Sequence, residues 1–123
     1  DIDHFKEIND TYGHLVGDEF IQGLGKMFRG MESKDIRLYH PGGDEFAVIV
    51  RGNIEYVKQL GEEILQKVKT VWVPKGAEPR TASIGIAMTE PSIMNGEEWA
   101  KGADDAVYMA KENGRNQVCI YQK

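Results

Sequence analysis

The sequence predicts one α+β domain, with a central, mostly antiparallel sheet flanked by amphipathic helices. Three observations carry this reading. Ile36-Arg37-Leu38-Tyr39-His40 alternates apolar and polar residues, and Phe46-Ala47-Val48-Ile49-Val50 is an unbroken apolar run. Pro41-Gly42-Gly43-Asp44-Glu45 stands between them. Two strand-like runs joined through paired glycines read as a β-hairpin, because glycine reaches positive φ without a Cβ clash. Finally, apolar residues recur at helical spacing in four other stretches, and a hairpin among helices argues against a purely parallel doubly wound sheet.

In order along the chain, Asp1-Ile2-Asp3-His4-Phe5 reads as the exit of a strand, so the first strand is expected to lie ahead of Asp1 and the sequence to start inside its domain. Phe5, Ile8 and Tyr12 then share one side of a helix that Gly13 stops. A second helix is expected from about Gly17 to Met31, burying Phe20, Ile21, Leu24, Met27, Phe28 and Met31. The hairpin follows from about Ile36 to Val50. Its second strand shows no alternation and is expected to be buried on both faces at the centre of the sheet. Asn53 caps a third helix carrying Ile54, Val57, Leu60, Ile64, Leu65 and Val68. Residues 71–80, with Pro74, Gly76 and Pro79, read as loop. Thr81 to Met88 alternates as a strand. Asn95 with Glu98 opens a fourth helix that packs Trp99, Ala103, Ala106, Val107 and Ala110, and Asn113-Gly114 ends it. Gln117 to Tyr121 is the last strand.

The 123 residues suffice for a single core. A net charge of -5 excludes a general electrostatic binder of nucleic acid or of membrane surfaces, so a phosphate ligand must rely on local basic groups and a metal. Cys119 is the only cysteine, which excludes a disulfide framework or a zinc site and fits a reducing, cytoplasmic setting. No apolar stretch approaches the length of a membrane span and no signal peptide is visible, so no membrane contact by this domain is expected.

The acidic residues are the candidates for chemistry. Asp44 and Glu45 sit at the hairpin tip, where side-by-side carboxylates repel by about 1 kcal/mol at 4 Å in water. A bound cation reverses the sign of that repulsion. Asp1 ends its strand, and neighbouring strand ends can bring Asp1 and Asp44 to one magnesium ion, which takes one or two carboxylates plus substrate phosphates. An EF-hand is excluded, since Asp1-x-Asp3 has no glycine at the sixth position and no glutamate at the twelfth. Singly, such acid pairs are ordinary on solvated loops. Lys6 follows the acids by one turn, and Lys111 and Arg115 stand four apart at a helix end, where cations also complement the helix dipole. Asn9 and Asp18 flank a crevice between the first two helices. A carboxylate can accept from guanine N1–H and its exocyclic amine, and an amide suits O6 and N7. Their plainer readings are a helix-stop residue and a dipole-favoured acid.

Gly42-Gly43-Asp44-Glu45-Phe46 is, letter for letter, the signature of the GGDEF family, the diguanylate cyclase domains. The resemblance runs from Asp1 to Tyr121. It includes Ile8-Asn9-Asp10-Thr11-Tyr12-Gly13-His14-x-x-Gly17-Asp18, Thr81-Ala82-Ser83-Ile84-Gly85-Ile86-Ala87 and Ala110-Lys111-Glu112-Asn113-Gly114-Arg115-Asn116. It implies a fold similar to nucleotidyl cyclase and polymerase palm domains. It further implies that two GTP condense to cyclic di-GMP and two pyrophosphates, with Mg²⁺ or Mn²⁺, in a two-fold homodimer driven by a regulatory or sensor domain outside the given sequence. Residue by residue, Asp1, the Ile2 carbonyl and Asp44 would hold the metal. Asp44 or Glu45 would activate the attacking hydroxyl, and Lys6 would stabilise charge on the α-phosphate. Lys111, Arg115 and the backbone of Phe5, Gly42 and Gly43 would hold phosphates, and Asn9 and Asp18 would read guanine. Asp3 has no clear family duty and reads as structural; His14 reads likewise.

Two departures from the family pattern stand out. His40-Pro41 replaces the usual Arg-Tyr or Arg-Ile ahead of the glycines, and proline lacks the N–H for a ladder bond. Glu32-Ser33-Lys34-Asp35 stands where many members carry the inhibitory Arg-x-x-Asp, so product inhibition of that type is not expected. A competing reading is a catalytically degenerate module that binds GTP or a partner protein and regulates a neighbouring domain. A two-metal phosphatase or nuclease lacks the histidines and further acids it would need.

Overall fold

The structure, a computed structural model, describes residues 1–89 and 95–122. Its elements run α1 (Phe5–Tyr12), α2 (His14–Arg29), β1 (Ile36–Gly42), β2 (Glu45–Val50), α3 (Ile54–Val68), β3 (Ser83–Ile86), α4 (Gly96–Glu112) and β4 (Gln117–Ile120). This is the predicted order. Residues 71–80 form the predicted loop.

α2 begins three residues ahead of its expected start at Gly17. Gly13, at φ 93°, both ends α1 and caps α2, so the two helices are joined through one glycine. The predicted caps of the later helices form: Asn53 accepts from the Tyr56 N–H, and Asn95 accepts from the Glu98 N–H at 2.8 Å.

β1 and β2 pair antiparallel, β3 and β4 pair parallel, and Ile2 bridges Ala82 antiparallel. The main core gathers Ile8 of α1, Phe20, Leu24 and Phe28 of α2, Ile36 of β1, and Leu60, Ile64 and Val68 of α3, with Ile2 and Ala82. α3 and α4 both pack on β3 and β4. The expectation that β2 is buried on both faces is corrected. Its residues alternate between half-buried and exposed, with Ile49 43% exposed. β2 is paired with β1 alone, and its other edge borders a cavity of about 230 Å³ that reaches β3, lined in part by Val48, Val50, Ile84 and Val107. A continuous apolar run signals two covered faces only where a second layer covers them.

β3 lies against the backbone of α4 at Gly85. A Cβ there would overlap the Ala103 carbonyl oxygen and lie 2.5 Å from the Val107 nitrogen. Both obstacles are helix backbone, so relief requires α4 to move off the sheet. Gly85→Ala should therefore destabilise the domain by about 3 kcal/mol, at the upper end of overpacking costs. Urea unfolding measures this, and an unchanged midpoint would show that the helix can yield.

Candidate functional site

The site is assembled by the first three residues, which lie extended between β3 and the hairpin tip. Ser83 N–H donates to the Asp1 carbonyl at 2.9 Å and Asp3 N–H to the Thr81 carbonyl at 2.8 Å. On the other side, Ile2 N–H donates to the Asp44 carbonyl at 3.2 Å. The two acidic segments singled out in the sequence are thus neighbours through main-chain bonding.

Asp3, only 3% exposed, accepts from Thr81 Oγ1 at 2.6 Å, Ser83 Oγ at 2.6 Å and Asn116 N–H at 3.0 Å. Its reading as structural agrees with these contacts. The partners were not foreseen, although Thr81 and Ser83 stand two apart in a stretch that reads as a strand in the sequence and so share a face. The bond to Asn116 draws in the turn after α4, where Gly114, Arg115 and Asn116 run at φ 109°, 62° and 48°. Positive φ at two consecutive non-glycine residues is strained and persists only where the surroundings enforce it. Lys111, in the last turn of α4, donates to Asp1 Oδ2 at 2.7 Å.

At the hairpin tip Gly43 takes φ 55° in a tight turn. His40 and Pro41 together oppose the single Phe46, because the register steps from Tyr39–Ala47 to Gly42–Glu45. The result is a β-bulge, and the missing Pro41 N–H falls where the ladder is already interrupted. The His40 ring stacks on Phe46, centroids 4.3 Å apart and 3° from parallel, and Nε2–H donates to the Gly43 carbonyl at 2.8 Å. Phe46 stacks in turn on Phe28 of α2 at 4.9 Å. This brace on the turn had no signal in the sequence beyond the departure itself.

The structure therefore joins Asp1, Ile2, Asp44 and Lys111 in one bonded set, with Glu45 and the glycine turn beside them. Lys6 and Arg115 are exposed, and among the described residues no side-chain bond ties either to that set. Asn9 and Asp18 form a second locus where α1 packs on α2, with Asn9 half-buried against Gly17 and Asp18 exposed. Phe5 stacks on Phe20 beneath them at 6.0 Å. Among the described residues no cluster of three or more His, Cys, Asp or Glu side chains is gathered tightly enough to hold a metal ion by itself. The donors at Asp1, Ile2 and Asp44 are nevertheless hard oxygens. They fit magnesium or manganese whose coordination is completed by water and phosphate. No helix among the described residues is long and apolar enough to cross a membrane.

An α+β palm-like fold with acids at an interrupted hairpin tip defines a nucleotidyl-cyclase type of domain. Residues 1–117 match the family described as "Diguanylate cyclase, GGDEF domain", and the chain belongs to it. It is 39% identical to the probable diguanylate cyclase DgcT of Escherichia coli K12, over 98% of this chain and 28% of that protein. It is also 32% identical to the cyclic di-GMP phosphodiesterase PdeR of the same strain, over 98% of this chain and 19% of that one. Among solved structures, the GGDEF domain of DgcB from Caulobacter crescentus, in complex with c-di-GMP, superposes with a TM-score of 0.89 at 31% identity, covering 100% of this chain and 73% of that one. The chain thus spans less than a third of the length of these curated relatives.

Asp3→Ala would leave the fully buried Ser83 hydroxyl and the Asn116 N–H without their acceptor. Hydrogen bonds to a charged group contribute about 1.5–3 kcal/mol each, and orphaned donors add their own cost. The variant should lose at least about 3 kcal/mol in chemical denaturation, and Asp3→Asn, which keeps one acceptor oxygen, should lose less. Equal stability of Asp3→Ala and wild type would remove Asp3 from this role.

Proposed function

We propose that this domain is a diguanylate cyclase, which condenses two GTP into cyclic di-GMP and two pyrophosphates as a two-fold dimer. The observation that carries the reading is the Ile2–Asp44 hydrogen bond, which sets the two carboxylate-bearing segments side by side next to Lys111. The family membership and the DgcT and DgcB likenesses point the same way.

In this reading Asn9 and Asp18 hold the guanine, and buried hydrogen-bond readout of that kind discriminates by up to about 10⁴–10⁵. Lys111, Arg115 and the Phe5 and Gly42-Gly43 backbone hold the phosphates. Asp44 or Glu45 takes the proton from the 3′-hydroxyl of one GTP, whose oxygen attacks the α-phosphorus of the other as pyrophosphate leaves. Lys6 stabilises the charge that builds on that α-phosphate. Asp1, Asp44 and the Ile2 carbonyl would hold Mg²⁺ or Mn²⁺, which would supply positive charge to the phosphates and the leaving pyrophosphate. A second, symmetric attack closes the ring, so each subunit contributes half of the reacting centre. A strand ahead of Asp1 belongs to the same proposal; the cavity between β2 and β3, bounded by two open strand edges, offers it a place. A regulatory or sensor domain elsewhere in the protein would set the dimer, in line with the short share of its relatives that this chain covers.

A second reading, a module that binds GTP or a partner and regulates a neighbouring domain without turnover, is favoured by the likeness to a protein named as a phosphodiesterase. Incubation with GTP and Mg²⁺, followed by mass detection of a cyclic dinucleotide, separates the two. Cyclic di-GMP should form at a rate per protein that rises with protein concentration, and GTP binding without product would favour the regulatory module. Asp44→Ala should abolish turnover; wild-type rates in that variant would overturn the metal assignment. Asp18→Ser should narrow the preference for GTP over ATP in competition binding.

A further inference from the structure

Gly17 lies inside α2, between Gly13, whose carbonyl accepts the Gly17 N–H at 3.1 Å, and the buried Phe20. It is not among the glycines at positive φ, so the backbone does not require glycine there. A helix interior favours alanine over glycine. What requires a missing side chain is α1: a Cβ at Gly17 would overlap Asn9 Oδ1 and lie 2.9 Å from Asn9 Cγ, whereas the next atom, Phe5 Cζ, is at an ordinary 3.5 Å. The bare Cα of Gly17 is thus the seat of the Asn9 amide, one residue from Asp18.

We propose that Gly17 is a positioning residue for nucleobase recognition, which fixes the rotamer of Asn9 so that its amide stands beside the Asp18 carboxylate. The inference rests on the reading of Asn9 and Asp18 as the guanine-binding pair. The obstacle is the tip of a side chain rather than backbone, so Gly17→Ala swings Asn9 away and leaves the helix pair standing. That separates Gly17 from Gly85, where the obstacle is backbone. The α1–α2 pair then survives while the base contact is lost.

The test is equilibrium binding of a GTP analogue with a methylene bridge between its α- and β-phosphates, which cannot release pyrophosphate. The matching ATP analogue serves as control, and the proteins are wild type, Gly17→Ala, Asn9→Ala and the double variant. Gly17→Ala should weaken the GTP analogue about tenfold, the scale of one lost hydrogen bond, and leave the ATP analogue unchanged. The double variant should bind no more weakly than Asn9→Ala, because the seat matters only while Asn9 occupies it. Wild-type affinity in Gly17→Ala, or losses that add in the double variant, would overturn the inference. If wild type does not prefer the GTP analogue, the guanine reading itself fails. The four melting temperatures then decide the contact alone: a drop in Gly17→Ala that Asn9→Ala relieves supports it, and one that it does not relieve overturns it. Should Gly17→Ala not fold, recovery in the double variant supports the contact and continued misfolding refutes it.

Discussion

The carboxylate of Asp3 is the constraint on which the arrangement of the charged groups depends. It is removed from water, and a buried carboxylate is tolerable only when its oxygens are satisfied. Its three donors come from the approach to β3, from β3 itself and from the turn after α4. One buried charge therefore ties three parts of the chain, 78 to 113 residues away in sequence, to the first residues. Lys111 reaches Asp1 because α4 ends where Asp3 holds the Asn116 N–H. The left-handed backbone at Arg115 and Asn116, of order 1–3 kcal/mol per residue, is held in place by the same bond.

The second constraint is aromatic. Phe28 on α2, Phe46 on β2 and His40 on β1 form a stack that runs from the core to the hairpin tip, and His40 closes on the Gly43 carbonyl. Glycine pairs at a hairpin tip are conformationally loose by nature. Here the bulge, the fixed φ of Pro41 and the His40 contact restrict the turn that carries Asp44. The Ile2 N–H then joins this braced turn to the segment that Asp3 anchors. The two acid-bearing segments are thereby held from opposite sides, one by a buried polar network and the other by packed rings.

Much of this was legible because it is local. Gly13, Asn53 and Asn95 announce helix boundaries, and the spacing of Phe20, Leu24 and Phe28 announces the buried face of α2. Local chemistry does not depend on what lies across the fold. Asp1 and Asp44 were readable as partners only as neighbouring strand ends and through the family resemblance, and main-chain bonding makes their segments neighbours. What was not legible is long-range. Asp3 in the sequence is one acid among twenty, and nothing near it names Thr81, Ser83 or Asn116. The exposure of Ile49 was misjudged for a related reason: hydrophobicity reports a residue's preference, whereas burial needs a neighbour. Gly17 shows the same limit, since a glycine inside a helical pattern looks like a weak point until the side chain it accommodates is seen.

The charges at the centre of the site are not balanced. Asp3 is satisfied by its three donors, Lys111 is bonded to Asp1, and among the described residues no cation is bonded to Asp44 or Glu45. A bare triphosphate approaching this corner would meet net negative charge. In the proposed reaction, Lys111 is asked both to neutralise Asp1 and to hold a phosphate, and one ammonium cannot do both fully. A divalent cation held by Asp1 and Asp44 would resolve the conflict in the proposed reaction, since Lys111 would then be free to hold a phosphate. Metal and nucleotide would then be mutually dependent ligands of the proposed site, each removing the repulsion that the other would face alone. The Lys111–Asp1 pair would then be the resting arrangement of the proposed site, holding the Asp1 carboxylate oriented until metal and nucleotide arrive.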